Sequence, residues 1–245
     1  MNSSRNNFKI LSVLKFVYII LFEFILPINK FLPKPTILFE SFLHVWQDYS
    51  LLSGMLITTG TVYFAIGFSL ILLWIFRVFI IKLFLSFSQA FEVLQLFKSI
   101  PVFLLILMTA FWFDGLELAK IIFAILITFI SLSRVLAKEL SRVNPEYIAV
   151  GMNLNPQKIY SEVYWKASLP SLLELAIRFQ RILWLIVLTY EFVAMSFGMG
   201  TIMRLALQYR DFGAIIVIGI IQALLIWLGT VTIKFVKKKI AFWEP

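Results

Sequence analysis

The chain has no cysteine and a single histidine, His44, in 245 residues. A disulfide framework, a thiolate nucleophile and a Cys- or His-rich metal site are therefore excluded. Charged residues make up only 14% of the sequence. No G-x-x-x-x-G-K-[ST] loop is present to cradle a nucleotide and no H-E-x-x-H to hold zinc. An intramembrane serine protease needs Ser beside His, and the one His lies in a predicted outer loop. The expectation is a chain that is not an enzyme and carries no cofactor of its own. What fills the sequence instead is apolar: 61% hydrophobic residues, 26 of them Phe. Such a composition belongs in a lipid bilayer.

A helix that crosses the hydrocarbon needs about 20 largely apolar residues. Runs of that kind predict six spans in one domain covering 1–245, at about 10–28, 51–76, 90–113, 116–136, 172–197 and 212–236. Arg5, Lys9 and Lys15 before FVYIILFEFILPI imitate a secretory signal, but no A-x-A site follows and Glu23 interrupts the apolar core, so the first span reads as uncleaved. An interfacial helix is expected near 78–90, and a short helix on the opposite surface within Lys30–Ser50.

The formal charge of +9 does not point to nucleic acid, because Lys and Arg stand at the ends of the apolar runs. With the N-terminus inside, the inner segments hold Arg5, Lys9, Arg77, Lys82, Arg134, Lys138, Arg142, Lys158, Lys166, Lys234 and Lys237 to Lys239. The outer ones hold Lys30, Lys34, Arg204 and Arg210, with Lys120 near a boundary. Both termini are thus expected in the cytoplasm, the chain passing repeatedly through the membrane.

Residues 142–170 form a polar insert between the fourth and fifth runs. Asn144-Pro145 and Asn155-Pro156 each place a capping side chain before a residue suited to a first helical turn. Two short helices are predicted, at about 145–152 and 156–168, the first stopped at Asn153. Pro170 is expected to break the second, and Ser171 with Glu174 to open the next span as a capping box. The first helix is too apolar for a free loop and too short to stand alone, so it lies either on its own bundle or in the groove of a partner.

The run Pro145–Pro170 resembles the EAA loop of ATP-binding-cassette (ABC) importer permeases of the nitrate, sulfonate and taurine branch. Aligned on Pro170, the family's Glu falls on Tyr147, its alanines on Ile148 and Ala149, and its Gly on Asn153; Trp165-Lys166 replaces its first Leu-Pro. Elsewhere, Phe22-Glu23 and Phe31-Leu-Pro-Lys-Pro35 are similar to the family's Trp-Glu and L-P-x-P. Ser99-Ile-Pro-Val102 through Phe113 and Gly115 to Lys120 resembles its I-P-x-x-x-L-x-P…W-F-G-x-G-x-x-x-K region, and Tyr190-Glu191 with Gly198-Met-Gly200 its A-E…G-L-G.

The resemblance implies the all-α, six-helix fold of a type I ABC importer permease. It also implies two cytosolic ATPase subunits that bind the ATP, a second permease, identical or not, and an extracytoplasmic solute-binding protein. Tyr147, Ile148, Ala149, Val150, Met152 and Asn153 would then be the coupling helix that contacts the ATPase. A channel or secondary transporter without an ATPase is the alternative reading, and an intramembrane enzyme a more distant one.

Polar residues at span depth are costly in lipid and point to function or to pairing. Glu191, with no partner near it in sequence, is a candidate for the translocation pathway or for an inter-helix contact, and Trp184 in the same span is a further pathway candidate. Gln89, Glu92, Gln95 and Lys98 recur every three residues, and Glu92 and Gln95 are pathway candidates on that stripe. Glu174 and Arg178 stand four apart, the favourable order for a helix ion pair. Asp114 and Glu117 are placed at an outer surface.

Overall fold

The computed structural model describes residues 13–14, 16–25, 34–86, 100–113, 116–140, 142–143 and 158–241. Every regular element among them is helical. In chain order these are α1 (Phe16–Ile25), α2 (Pro35–Asp48), α3 (Leu51–Ile75), α4 (Arg77–Ser86), α5 (Val102–Phe113), α6 (Glu117–Leu140), α7 (Ile159–Ala194), α8 (Met199–Gln208) and α9 (Phe212–Ile240). Helices α3, α6 and α9 are long and apolar enough to cross a membrane. The α7–α8 pair, bent by 54°, supplies a fourth crossing if it is one span, while α1 and α5 are shorter apolar helices. The coupling segment 144–157 and the 87–99 stripe, and with them Tyr147, Ile148, Ala149, Val150, Met152, Asn153, Glu92 and Gln95, lie outside the described residues.

Helix α7 is the hub, packing on α3, α5, α6, α8 and α9. Its partners fix the direction of each helix. Thr58 of α3 meets Glu191, Tyr63 meets Gln180, and Leu73 shares a core with Leu172, so α3 and α7 are antiparallel. Helix α9 runs with α3, since Tyr63 donates to Leu225 O while Lys237 reaches Glu174 near the start of α7. The outer flanks of these helices carry exposed Leu56, Phe64, Trp74, Leu126, Leu185, Leu224 and Trp227, as lipid-facing surfaces require.

Two polar layers cross the bundle where hydropathy shows only apolar runs. In the middle, buried Gln180 bonds Thr230 Oγ1 and lies 3.4 Å from Ile226 O, while the Tyr63 hydroxyl sits 3.3 Å from Gln180 Oε1 and 3.2 Å from Leu225 O. That hydroxyl occupies the space a side chain would need at Gly229. Toward the α4 end, Glu174 pairs with Arg178 at 3.5 Å, as its spacing predicts, and also with Lys237 at 3.3 Å.

Three expectations are corrected. Pro170 does not break a helix: Trp165–Ala194 is continuous through it. Wide π-turns at Ile159–Tyr164 precede it, Ser168 Oγ donates to Tyr164 O at 2.9 Å within the turn before it, and the helix runs on past the Lys166 carbonyl that the proline cannot bond. Ser171 and Glu174 consequently form no capping box, because there is no helix start for them to cap. The span expected at 172–197 instead ends at Ala194 with Met195 in the left-handed region, and a separate helix, α8, occupies what reads as an outer loop.

A helix does form within Lys30–Ser50, which is α2, and another near 78–90, which is α4, described to Ser86. Glu23, which interrupts the first apolar run, has a local purpose: its carboxylate accepts from Thr36 Oγ1 at 3.1 Å and Thr36 N at 3.3 Å, closing the first turn of α2.

Gly229→Ala should lower stability by about 1–3 kcal/mol through overpacking against Tyr63. In a Tyr63→Ala background the added methyl should cost clearly less, a coupling that detergent unfolding of the four variants would measure.

Candidate functional site: an ion cluster at a broken helix, beside an aromatic pocket

The break between α7 and α8 leaves backbone groups without helical partners at depth in the bundle, where water cannot satisfy them. Side chains answer nearly all of them. Thr201 Oγ1 bonds Glu191 O at 3.0 Å, and Arg204 Nη1 bonds Phe192 O at 3.1 Å and Val193 O at 3.4 Å. Ser196 O also accepts from Thr201 Oγ1, and Phe197 N donates to Glu117 Oε1. Lys120 Nζ donates to Phe197 O, Met199 N to Thr58 Oγ1 at 2.9 Å, and Gly200 N to Glu191 Oε2 at 2.9 Å.

The charged centre of this arrangement is buried. Lys120 is 1% exposed and Glu191 0%. Lys120 Nζ lies 3.2 Å from Glu191 Oε1 and 2.7 Å from Glu117 Oε2, so one ammonium serves two carboxylates and a carbonyl. Glu191 accepts from Lys120, from Gly200 N and from Thr58 Oγ1, which is 2.9 Å from both of its oxygens. Each hydrogen-bond partner of this carboxylate is a donor.

Two glycines make the approach of the backbone to Glu191 feasible. Gly198 has φ 153°, and a Cβ there would overlap the Glu191 carboxylate; a Cβ on Gly200 would strike Leu188 O and the Glu191 side chain. The spacing Glu191…Gly198-Met-Gly200 is thus a geometric requirement of one carboxylate bonding the first turn of α8.

Behind the same segment lies a pocket of about 320 Å³ between the α2–α3 junction and α8. Tyr49, Phe197 and Tyr209 bring aromatic rings to it, Asp48 a carboxylate, and Ser53 and Thr201 hydroxyls. Tyr49 OH contacts Asp211 Oδ2 at 3.3 Å, while Asp211 Oδ1 caps α9 by accepting from Ala214 N at 2.9 Å. Burial, reinforced by the Asp211 carboxylate, raises the Tyr49 phenol above its ordinary 10.0.

Of the candidates described, Glu191 is an inter-helix contact in this structure. Trp184 is fully buried with its ring edge-on to Tyr63, centroids 6.5 Å apart, and does not line the pocket. Glu117, expected to face an outer surface, is half-exposed yet tied to Lys120 and Phe197 N. Sequence reasoning missed Thr58 and left Lys120 as a boundary residue; the signal available was a lone lysine three residues after Glu117 at the head of an otherwise apolar helix. His44 is exposed, with Nδ1 3.6 Å from Asp48. No group of three or more His, Cys, Asp or Glu that could hold a metal occurs among the described residues.

Comparison with known protein families, with curated proteins and with solved structures finds no match to this chain.

Lys120→Met strands two carboxylates and should cost about 3–5 kcal/mol, the range for breaking a buried pair. A double variant, Lys120→Met with Glu191→Leu, should be less destabilised than the sum of its parts; non-interacting, additive losses in detergent unfolding would contradict the pairing. At alkaline pH the sign follows from the raised phenol. The Tyr49 contribution is intact below its unfolded value of 10.0 and is lost as pH climbs through the higher folded value. Tyr49→Phe should therefore flatten the fall of melting temperature above about pH 10.

Proposed function

We propose that this chain is the membrane-spanning permease subunit of an ATP-driven ABC importer for a small organic or oxyanion solute of the nitrate, sulfonate and taurine class. The observation that carries the reading is a convergence. Lys120 belongs to one piece of the family resemblance and Glu191 with Gly198-Met-Gly200 to another, and Lys120 and Glu191 are 71 residues apart, yet the two pieces meet in one bonded cluster. Chance likenesses scattered along a chain have no reason to touch.

Charge distribution supports the orientation. Arg77, Lys82, Arg134, Lys138, Arg142, Lys158, Lys166, Lys234 and Lys237 to Lys239 belong to α4, the C-terminal ends of α6 and α9, and the start of α7, which form one end of the bundle. Lys34, Arg204 and Arg210 belong to the other. The rule that basic residues stay inside makes the α4 end cytoplasmic in a bacterial inner membrane, with six spans and both termini inside. It also puts segment 142–170 on the side where an ATPase waits.

In this reading the partner ATPases bind and hydrolyse ATP. Their closure draws together the coupling helices of two permeases, and rigid α7, through its many contacts, passes that displacement to α3, α6 and α9. A binding protein delivers the solute at the opposite end. A channel or secondary carrier has no use for the doubly capped insert.

Ile148→Asp and Met152→Asp should each abolish co-purification of an ATPase while leaving membrane insertion and helicity unchanged. Persistent association in both variants would refute the assignment of a coupling helix.

A further inference from the structure

We infer that the pocket between the α2–α3 junction and α8 is a binding site for a small organic cation with a substituted ammonium head. Its volume, about 320 Å³, falls at the low end of small-molecule sites, which run from about 300 to 1,000 Å³. Its chemistry selects the charge of the occupant. Ser53 Oγ donates to Ser50 O at 2.8 Å, Thr201 Oγ1 to Glu191 O and Ser196 O, and Tyr49 OH to Asp211. These hydroxyl protons are already engaged, so the wall turns oxygen lone pairs toward a ligand.

Asp48 adds a carboxylate at the rim, and Asp211 lies directly behind Tyr49. No basic side chain lines the pocket among the described residues. The nearest one along α8, Arg204, is bonded to the carbonyls of Phe192 and Val193. On the far side of the 197–200 segment the charge of Glu191 is met by Lys120, so Asp48 and Asp211 are the carboxylates that act on the cavity. Asp48 also faces the exposed His44 imidazole at 3.6 Å, and Ser50 and Tyr209 add hydroxyls to the lining.

The rings of Tyr49, Phe197 and Tyr209 complete the argument. Phe197 and Tyr209 are 62% and 74% exposed despite being large aromatics, and both border the cavity. Aromatic faces beside a carboxylate attract alkylated ammonium groups, whose charge is diffuse and weakly hydrated. The ammonium chemistry is shared by free solutes and by lipid headgroups, and the test separates the two sources. Binding does not depend on the importer reading, and the cation is a ligand distinct from the solute class proposed above.

The experiment is equilibrium binding of radiolabelled choline to the full chain in phosphatidylglycerol nanodiscs, without any ATPase. Saturable binding is expected, weakened about tenfold by Asp48→Asn and by Tyr209→Ala. Glu40→Gln, which removes an exposed carboxylate of α2 outside the pocket, should change nothing. The uncharged isostere 3,3-dimethylbutan-1-ol should not compete. Nanodiscs containing phosphatidylethanolamine that suppress choline binding would identify a headgroup as the occupant, and undiminished binding would identify a free solute; either keeps the cation assignment. Absence of saturable binding, displacement by the neutral isostere, or equal affinity of the Asp48→Asn protein with unchanged helicity would overturn it. Because no ATPase is involved, such a failure leaves the coupling-helix test standing, and the converse also holds.

Discussion

The interaction on which the remainder depends is the buried ammonium of Lys120 shared between Glu191, Glu117 and the Phe197 carbonyl. A charge brought into a low-dielectric bundle is tolerable only when its partners are all present. That requirement propagates outward. Glu191 must reach the first turn of α8, so the chain between must be glycine at 198 and 200; Thr58 must bridge Glu191 and Met199 N, so α3 is fixed against both helices. The break between α7 and α8 is therefore a built element of the bundle. Its peptide groups are bonded by side chains drawn from α3, α6, α7 and α8.

Magnitudes separate the cluster from the other polar layers. A neutral hydrogen bond between membrane helices contributes about 0.6 kcal/mol on average and up to about 1.7, because the separated helices also find partners in lipid. The Tyr63–Gln180–Thr230 layer is of that kind, and its effect is mainly to set the register of α3, α7 and α9. Losing one member of an ion cluster leaves an unpaired charge and costs several-fold more. At the α7–α8 end the ion cluster stands beside apolar packing of Leu51, Met199, Ile202, Ala206 and Ala214. At the α4 end Leu73, Ile81, Leu136, Trp165 and Leu172 pack beside the partly exposed Glu174 pairs.

Much of the bundle is legible in hydropathy alone, because lipid demands long apolar helices and nothing else satisfies their backbone. Helices α3, α6 and α9 match their runs closely, and α2 and α4 follow from apolar stretches bounded by proline or charge. What hydropathy hides is where a helix stops. Pro170 reads as a terminator because the rule for proline comes from helices without tertiary support, whereas here wide turns and a serine hydroxyl lie beside it. Helix α8 reads as loop because its ten residues are too short to span and carry Arg204, whose role as a cap for the α7 carbonyls exists only after folding. Glu191 stands out as a charge in a span, but its partner does not. Lys120 sits near the end of its run, where snorkelling to the surface is the ordinary explanation of a lysine.

The same geometry explains why a pocket and an ion cluster adjoin. A continuous helix through residues 195–198 would carry its side chains on a regular spiral and present no re-entrant surface. Breaking it turns α8 by 54° relative to α7 and opens a concavity against the α2–α3 junction, where Ser50 adopts a left-handed turn. The carbonyls exposed by the break are claimed by Lys120, Thr201 and Arg204, so the donors of this region are directed inward at the backbone. What remains on the pocket side is a surface of rings, hydroxyls and the Asp48 carboxylate. Repairing the break directs Lys120 and Arg204 away from the pocket, and Asp48 is the charged group left in its lining.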